Sequence, residues 1–275
     1  MKKLLICLLV LSICAGIVAC GEETPLESGD LVISFLSVGK ADAILLKTAS
    51  TSILIDTGYD TSAGIIADAM AREGIEKIDY MILTHYDKDH IGSASAIMTH
   101  YDIGQVYLPD FVTDSDEYHL MMDALHDCHI SYQKISENVE IRLPEGATLT
   151  LNPTALSPDD ENNHSIITSL RWGEFSCLFL GDALKDRLKE YENIDTSSYD
   201  VVKLPHHGNY YKKLEEYMTT VRPAHAVVCD GEEREVEEKL FAMCRDLGIT
   251  LWQTDAGDIR LIYRHTEGVY RLTQE

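Results

Sequence analysis

Thr84-His85-Tyr86-Asp87-Lys88-Asp89-His90 places two imidazoles and two carboxylates within residues 85–90. Nitrogen and oxygen donors of this kind suit divalent cations, zinc first, with manganese or iron also served. Alternate residues of a tight loop can face one cation while their neighbours face another. The stretch follows Tyr80 to Thr84, which reads as a buried strand. A strand ending in a ligand-dense loop is what α/β folds use, because their sites gather at strand ends.

Two more polar clusters follow apolar runs. Gly181-Asp182-Ala183 succeeds Cys177 to Leu180, and Pro205-His206-His207-Gly208 succeeds Val201 to Leu204. Asp182 can bridge two cations, or cap a helix beginning near Leu184. Adjacent histidines point to different sides, so one of His206 and His207 is expected to bind metal. The other is left for substrate or an outer carboxylate.

The surrounding pattern alternates. Strands are predicted at Leu31 to Val38, Ala43 to Lys47, Ser52 to Ile55, Gln105 to Leu108, Ile130 to Ile135, Thr148 to Leu151, Ser165 to Arg171, Phe175 to Leu180, Ala226 to Cys229 and Thr250 to Gln253. Helices are predicted at Thr61 to Arg72, Gly92 to His100, Ser115 to Cys128, Tyr211 to Thr220 and Glu233 to Leu247. Ile259 to Tyr263 and Tyr270 to Thr273 close the chain as β segments, in the second of two similar halves. Mixed sheets covered by helices are the expected outcome.

These motifs, in this order, resemble the metallo-β-lactamase superfamily, in its ComEC-like branch of soluble competence-protein domains. The superfamily pattern is H-x-H-x-D-H, then a His, a bridging Asp and a last His. His85, Asp87, Asp89 and His90 match the first motif, with Asp87 in place of its second His. Leu54-Ile55-Asp56-Thr57-Gly58 matches the motif whose Asp braces the metal loop. Phe35-Leu36-Ser37-Val38-Gly39-Lys40-Ala41-Asp42-Ala43 resembles F-L-D-V-G-Q-G-D-A. Asn162-Asn163-His164-Ser165 lies at the branch's Asn-rich turn, Leu180-Gly181-Asp182 at its bridging Asp, and Leu204-Pro205-His206-His207-Gly208 at its P-H-H-G.

The resemblance covers about residues 31 to 264. It implies an α/β (α+β) chain in a four-layer αββα sandwich and two divalent metal ions. One would sit near His85 and Asp87, with His164 as a further ligand. The other would sit near Asp89, His90 and one of His206 and His207, and Asp182 would bridge them. Ser37, Lys40 and Ala41 depart from the pattern, and the branch's Gly-His-Pro is replaced by Asp230-Gly231-Glu232-Glu233-Arg234-Glu235. Metal binding is therefore carried over, and substrate identity is not.

Paired cations hold a hydroxide ready at neutral pH and clamp attacking and leaving oxygens. The expected activity is hydrolysis, with Asp89, His206 and His207 as catalytic residues; the resemblance to the ComEC-like branch, and not the site chemistry, makes a phosphodiester of nucleic acid or cell wall the leading substrate. A carboxylic ester or lactam is the alternative on the same site. Lys88, Lys203 and the free His of the pair are expected to neutralise an anionic substrate. The contrasting class is a non-catalytic lipoprotein that binds a partner at the membrane surface.

The N-terminus reads separately. Lys2 and Lys3 precede an apolar run from Leu4 to Ala19, which fits a signal peptide over residues 1–19. Ile17-Val18-Ala19-Cys20 resembles a bacterial lipobox, so Cys20 is the expected lipidation site, residues 20–30 a tether and residues 31–275 the folded domain. The protein is then expected outside the cytoplasm, held to the cell membrane by lipid. Net charge is −23 over 275 residues, which opposes stable nucleic-acid binding. Cys128, Cys177, Cys229 and Cys244 show no C-x-x-C spacing, so a structural zinc knot is not expected, and Cys177 reads as core.

Overall fold

The computed structural model describes residues 29–231 and 236–275. The stretch expected to be a leader, the expected tether as far as residue 28, Cys20 and residues 232–235, where a helix was expected to start at Glu233, lie outside them. In chain order the first half is β1 (Asp30–Phe35), β2 (Ile44–Lys47), β3 (Ser52–Ile55), α1 (Ala63–Arg72), β4 (Lys77–Ile82), α2 (Lys88–Ile91), α3 (Ala94–His100), β5 (Asp102–Pro109), α4 (Asp116–Asp127) and β6 (Tyr132–Ile135). The second is β7 (Val139–Arg142), β8 (Thr148–Asn152), β9 (Ile167–Trp172), β10 (Phe175–Phe179), α5 (Lys185–Glu192), β11 (Val201–Lys203), α6 (Lys212–Val221), β12 (His225–Val228), α7 (Glu238–Leu247) and β13 (Thr250–Gln253). A hairpin, β14 (Ile259–Arg264) and β15 (Val269–Gln274), follows.

One sheet runs β15-β14-β1-β2-β3-β4-β5-β6 and the other β13-β12-β11-β10-β9-β8-β7. Each is antiparallel on one side and parallel on the other: β3 to β6 and β10 to β13 are parallel, joined through helices. Side-chain alternation separates the layers. Ile44, Leu46, Ile53 and Ile55 meet Phe175, Cys177 and Phe179 between the sheets. Leu45 and Leu54 face the other way, onto Ile66, Met70 and Ile97 of the helices. Leu178, Val202 and Ala226 pack on Leu188, Leu214 and Leu240. Three apolar interfaces between four layers make the αββα sandwich. Among the described residues no helix is long and apolar enough to cross a membrane.

The structure differs from expectation in three places. The helix expected from Gly92 begins at Lys88, inside the ligand motif, and breaks at Gly92. A Cβ on Gly92 would fall 2.5 Å from the Asp60 nitrogen, so close chain contact requires glycine there. β7 was not anticipated, because one of its four residues, Ile141, is buried. The last hairpin joins the first half's sheet, β14 pairing antiparallel with β1, instead of completing the second half. The four cysteines after residue 28 carry free thiols, and Cys177 is core as expected.

Candidate metal centre

The ligand-bearing segments leave the ends of β3, β4, β10 and β11, so both sheets supply the site. Asp56 follows β3 with φ 58°, a left-handed conformation that costs a non-glycine residue about 1–3 kcal/mol. Its carboxylate explains why it is held there. It accepts from the Thr84 backbone nitrogen and hydroxyl, both at 2.7 Å, and lies 2.7 Å from His90 Nδ1. A ring that donates through Nδ1 presents its Nε2 lone pair to the site.

The same logic orients two further rings. His207 Nδ1 is 2.9 Å from the Cys229 carbonyl, and His85 Nδ1 is 3.1 Å from the Thr84 hydroxyl, whose own proton goes to Asp56. The Nε2 atoms of His85, His90 and His207 are all buried and have no hydrogen-bond partner. Buried polar atoms are rarely left this way. Asp182 Oδ2 stands 3.3 Å from Nε2 of both His90 and His207, and Asp89 Oδ2 is 3.4 Å from His207 Nε2. Donor atoms of His85, His90 and Asp182 lie within 4.8 Å of one another, as do those of Asp89, His90 and His207. Orphaned imidazole nitrogens facing two carboxylates fit divalent cations in chemistry and spacing.

Other expected site residues lie further out. Asp87 is partly exposed, with Oδ2 3.6 Å from His85 Nε2. His164 ends a 3-10 turn over Glu161–His164, its ring stacked on Phe111 at 3.9 Å, outside both donor groups. Consecutive left-handed conformations at His206 and His207 turn the rings apart. His207 enters the cluster. His206 instead faces Asn209 with its ring, while its backbone nitrogen donates to Asp182 Oδ1 at 3.1 Å.

Electrostatics follow from this packing without metal. Burial opposes charge on His90 and His207, but Asp182 outweighs it with Asp56 at His90, so both rings are raised and His207 reaches about 9. Burial also opposes ionisation of Asp182 and Asp89. The neighbouring histidines prevail and hold both well below the usual carboxylate range. Burial lowers His164 and His206.

One expected role is corrected. Lys203 does not reach substrate: it is fully buried, ion-paired with Asp42 and 3.2 Å from the Gly181 carbonyl. Its missed partner Asp42 also lies 3.6 Å from His207 Nδ1. The signal for Asp42 was present in the Gly39-Lys40-Ala41-Asp42 motif. Arg187 was missed as well. It is buried in α5 and donates to the Ser165 carbonyl and Asn152 Oδ1, while Ser165 Oγ accepts from the Asp182 nitrogen. No sequence pattern marks a lone Arg for that role. At Gly181, φ is 54° and a Cβ would fall 3.0 Å from Ser165 Cβ and 3.2 Å from Thr84 Cβ. The loops of the two sheets meet there, and glycine lets them close.

The chain resembles known proteins over most of its length. The chain is 22% identical over 271 residues to ComE operon protein 3 of Bacillus subtilis, covering 90% of this chain and 35% of that protein. It is 27% identical over 204 residues to Recombination protein 2 of Haemophilus influenzae, covering 72% of this chain and 24% of that one. The chain thus spans about a third or less of these relatives. Among solved structures, the metallo-beta-lactamase fold protein YhfI from Bacillus subtilis superposes with TM-score 0.60 at 12% identity, over 85% of this chain and 99% of that one. The family model described as Metallo-beta-lactamase superfamily matches residues 36–229, more than half of the chain, and the chain belongs to that superfamily.

Proposed function

We propose that this chain is a two-metal hydrolase of a phosphodiester, loaded with zinc and held outside the cytoplasm by a lipidated Cys20. The observation that carries the hydrolase reading is the set of three buried Nε2 atoms that make no hydrogen bond, at His85, His90 and His207, with Asp182 beside two of them. Divalent cations there would acidify water and stabilise charge on the attacking and leaving oxygens. The chain's own residues prepare the rest. Asp56, Thr84 and the Cys229 carbonyl lock the three rings by their Nδ1 atoms. Asp89, partly exposed at the mouth, can take a proton from an attacking water. Lys203 offsets carboxylate charge from beneath instead of meeting substrate.

The phosphodiester assignment rests on likeness to the competence-related relatives. Fold and ligands serve an ester or lactam equally well. The test is zinc reconstitution with metal analysis, followed by turnover of bis(p-nitrophenyl) phosphate, an aryl carboxylic ester and a chromogenic lactam. About two zinc ions per chain and selective phosphodiester cleavage, lost in Asp89→Ala, are expected. A chain that takes up no metal sinks the reading. Metal uptake with no turnover of any of the three would favour a non-catalytic binding lipoprotein. Palmitate labelling lost in Cys20→Ser tests the anchor.

A further inference from the structure

The turn expected to supply His164 as a ligand serves the centre through that residue's neighbours. His164 stacks on Phe111, yet the residues on either side of it both reach the loop that carries Asp182. Leu184, at the start of α5, offers no capping side chain. Asn163 supplies the cap instead: its Oδ1 accepts from the Leu184 and Arg187 nitrogens at 3.1 and 3.3 Å. Ser165 Oγ accepts from the Asp182 nitrogen at 3.0 Å. One residue further, the Ile166 nitrogen donates to the Thr84 carbonyl at 2.9 Å, next to His85. Residues 163–166 therefore touch ligand loops from both sheets.

Arg187 holds that stretch from behind. Its side chain is wholly out of solvent. Nε donates to the Ser165 carbonyl at 3.1 Å, and Nη2 to Asn152 Oδ1 at 2.9 Å. Asn152 is oriented in turn, its Nδ2 donating to Asn138 Oδ1. Nη1 meets Glu190 at 2.8 Å, and Glu190 also accepts from the Thr154 hydroxyl and the Ala155 nitrogen, both at 2.7 Å. One guanidinium thus joins α5 to the end of β8 and to the turn before β9.

A buried ion pair seldom stabilises a fold more than apolar packing of the same volume, because both charges lose their water. What a guanidinium adds is direction: its donors leave a rigid plane at fixed angles. Asp182 needs such fixing. Its Oδ1 accepts from the His206 nitrogen at 3.1 Å, and its Oδ2 stands 3.3 Å from Nε2 of His90 and of His207. Groups that bind metal must be held to about 0.5 Å, and a side chain as short as aspartate follows its backbone closely.

We infer that Arg187 is a positioning residue of the metal centre: acting through Ser165, it fixes the backbone of Asp182 and so sets the carboxylate beside His90 and His207. This rests on the two-metal reading above and adds to it what keeps the bridging group in place.

The test uses the full chain in three variants: Ser165→Ala, Arg187→Lys and the two combined. Lysine keeps a charge for Glu190 but lacks the fork. Each single variant should bind zinc about 10–100-fold more weakly by chelator competition, and should shift the visible spectrum of the cobalt(II)-loaded chain. Because one residue acts through the other, the double variant should lose little more than either alone. In the metal-free chain, amide exchange at residues 181–184 should quicken about fivefold in both single variants, while β8 and β9 keep their protection. A purely structural Arg187 would loosen β8, β9 and α5 together and leave the cobalt spectrum unmoved. Asn152→Ala, which takes one acceptor from the fork, replaces Arg187→Lys if that variant does not fold, with a smaller loss of the same kind expected. Unchanged zinc affinity and spectrum in the single variants, or losses that add in the double one, overturns the inference. A wild-type chain that binds no metal, with exchange at residues 181–184 still quickened in the variants, would instead remove the two-metal reading and leave Arg187 holding Asp182.

Discussion

His207 donates through Nδ1 to the Cys229 carbonyl at 2.9 Å, which turns its Nε2 towards Asp182 and Asp89. His206 instead turns its ring to Asn209. His207→Ala should therefore cut zinc content to below two per chain. His206→Ala should keep the metal and lose less than tenfold in affinity. Metal analysis after gel filtration distinguishes them, and a reversed order would refute the assignment.

The metal-free protein should lose stability as pH rises from about 6.5 to about 9. His207 is raised from its ordinary value of 6.5 to about 9, so its protonated form stabilises the fold fully below pH 6.5 and the gain fades through pH 9. His90 is raised too and acts in the same direction. The His207 contribution is about 3 kcal/mol at most. Metal must displace these protons, so zinc affinity should rise over the same window. Urea titrations at pH 6, 7.5 and 9, with and without zinc, should show the two forms diverging with pH. Parallel curves would contradict the proton assignment.

Breaking the Asp42–Lys203 pair should be costly and removing both charges much less so. Both side chains are buried, and a lone buried charge destabilises by about 3–5 kcal/mol. Lys203→Met alone should unfold at markedly lower urea than wild type, and Asp42→Asn with Lys203→Met should recover most of that loss. Additive losses in the double variant would show that the two do not act as a pair.

Asp56→Asn keeps the size of the side chain and removes its charge. Two Thr84 donors and the His90 ring all rely on that carboxylate, so the ring loses its fixed orientation. Zinc affinity should fall about 10–100-fold, the usual effect of losing a partner that orients a ligand. Competition with a chelator of known affinity measures it. Unchanged affinity would mean that Asp56 supports the fold alone.

Much of the centre was legible because its donors are clustered by strand ends. His85, Asp89, His90, Asp182 and His207 each stand within a few residues of an apolar run, and parallel pairing of β3 with β4 and β10 with β11 brings those ends together. The choice between His206 and His207 was not legible. It depends on left-handed backbone at both residues and on the carbonyl of Cys229, just past the end of β12. Nor was the burial of Lys203, since its partner Asp42 is far away in the chain and comes near only when the sheets stack. The placement of β14 was missed for the same reason: its local pattern says strand but not which sheet it joins.

That hairpin has a consequence for how the chain folds. Leu31 pairs with Tyr263 and Phe35 with Ile259, so the first strand waits for one of its two neighbours until more than two hundred further residues have followed it. Closing so long a loop is entropically late and slow. Until then the free side of β1, with Leu31, Ile33 and Phe35 beside it, is an open template for strand addition by another chain. Release of a truncated chain ending before residue 259 should thus yield aggregates, where loss of the exposed Gln274 and Glu275 alone should not.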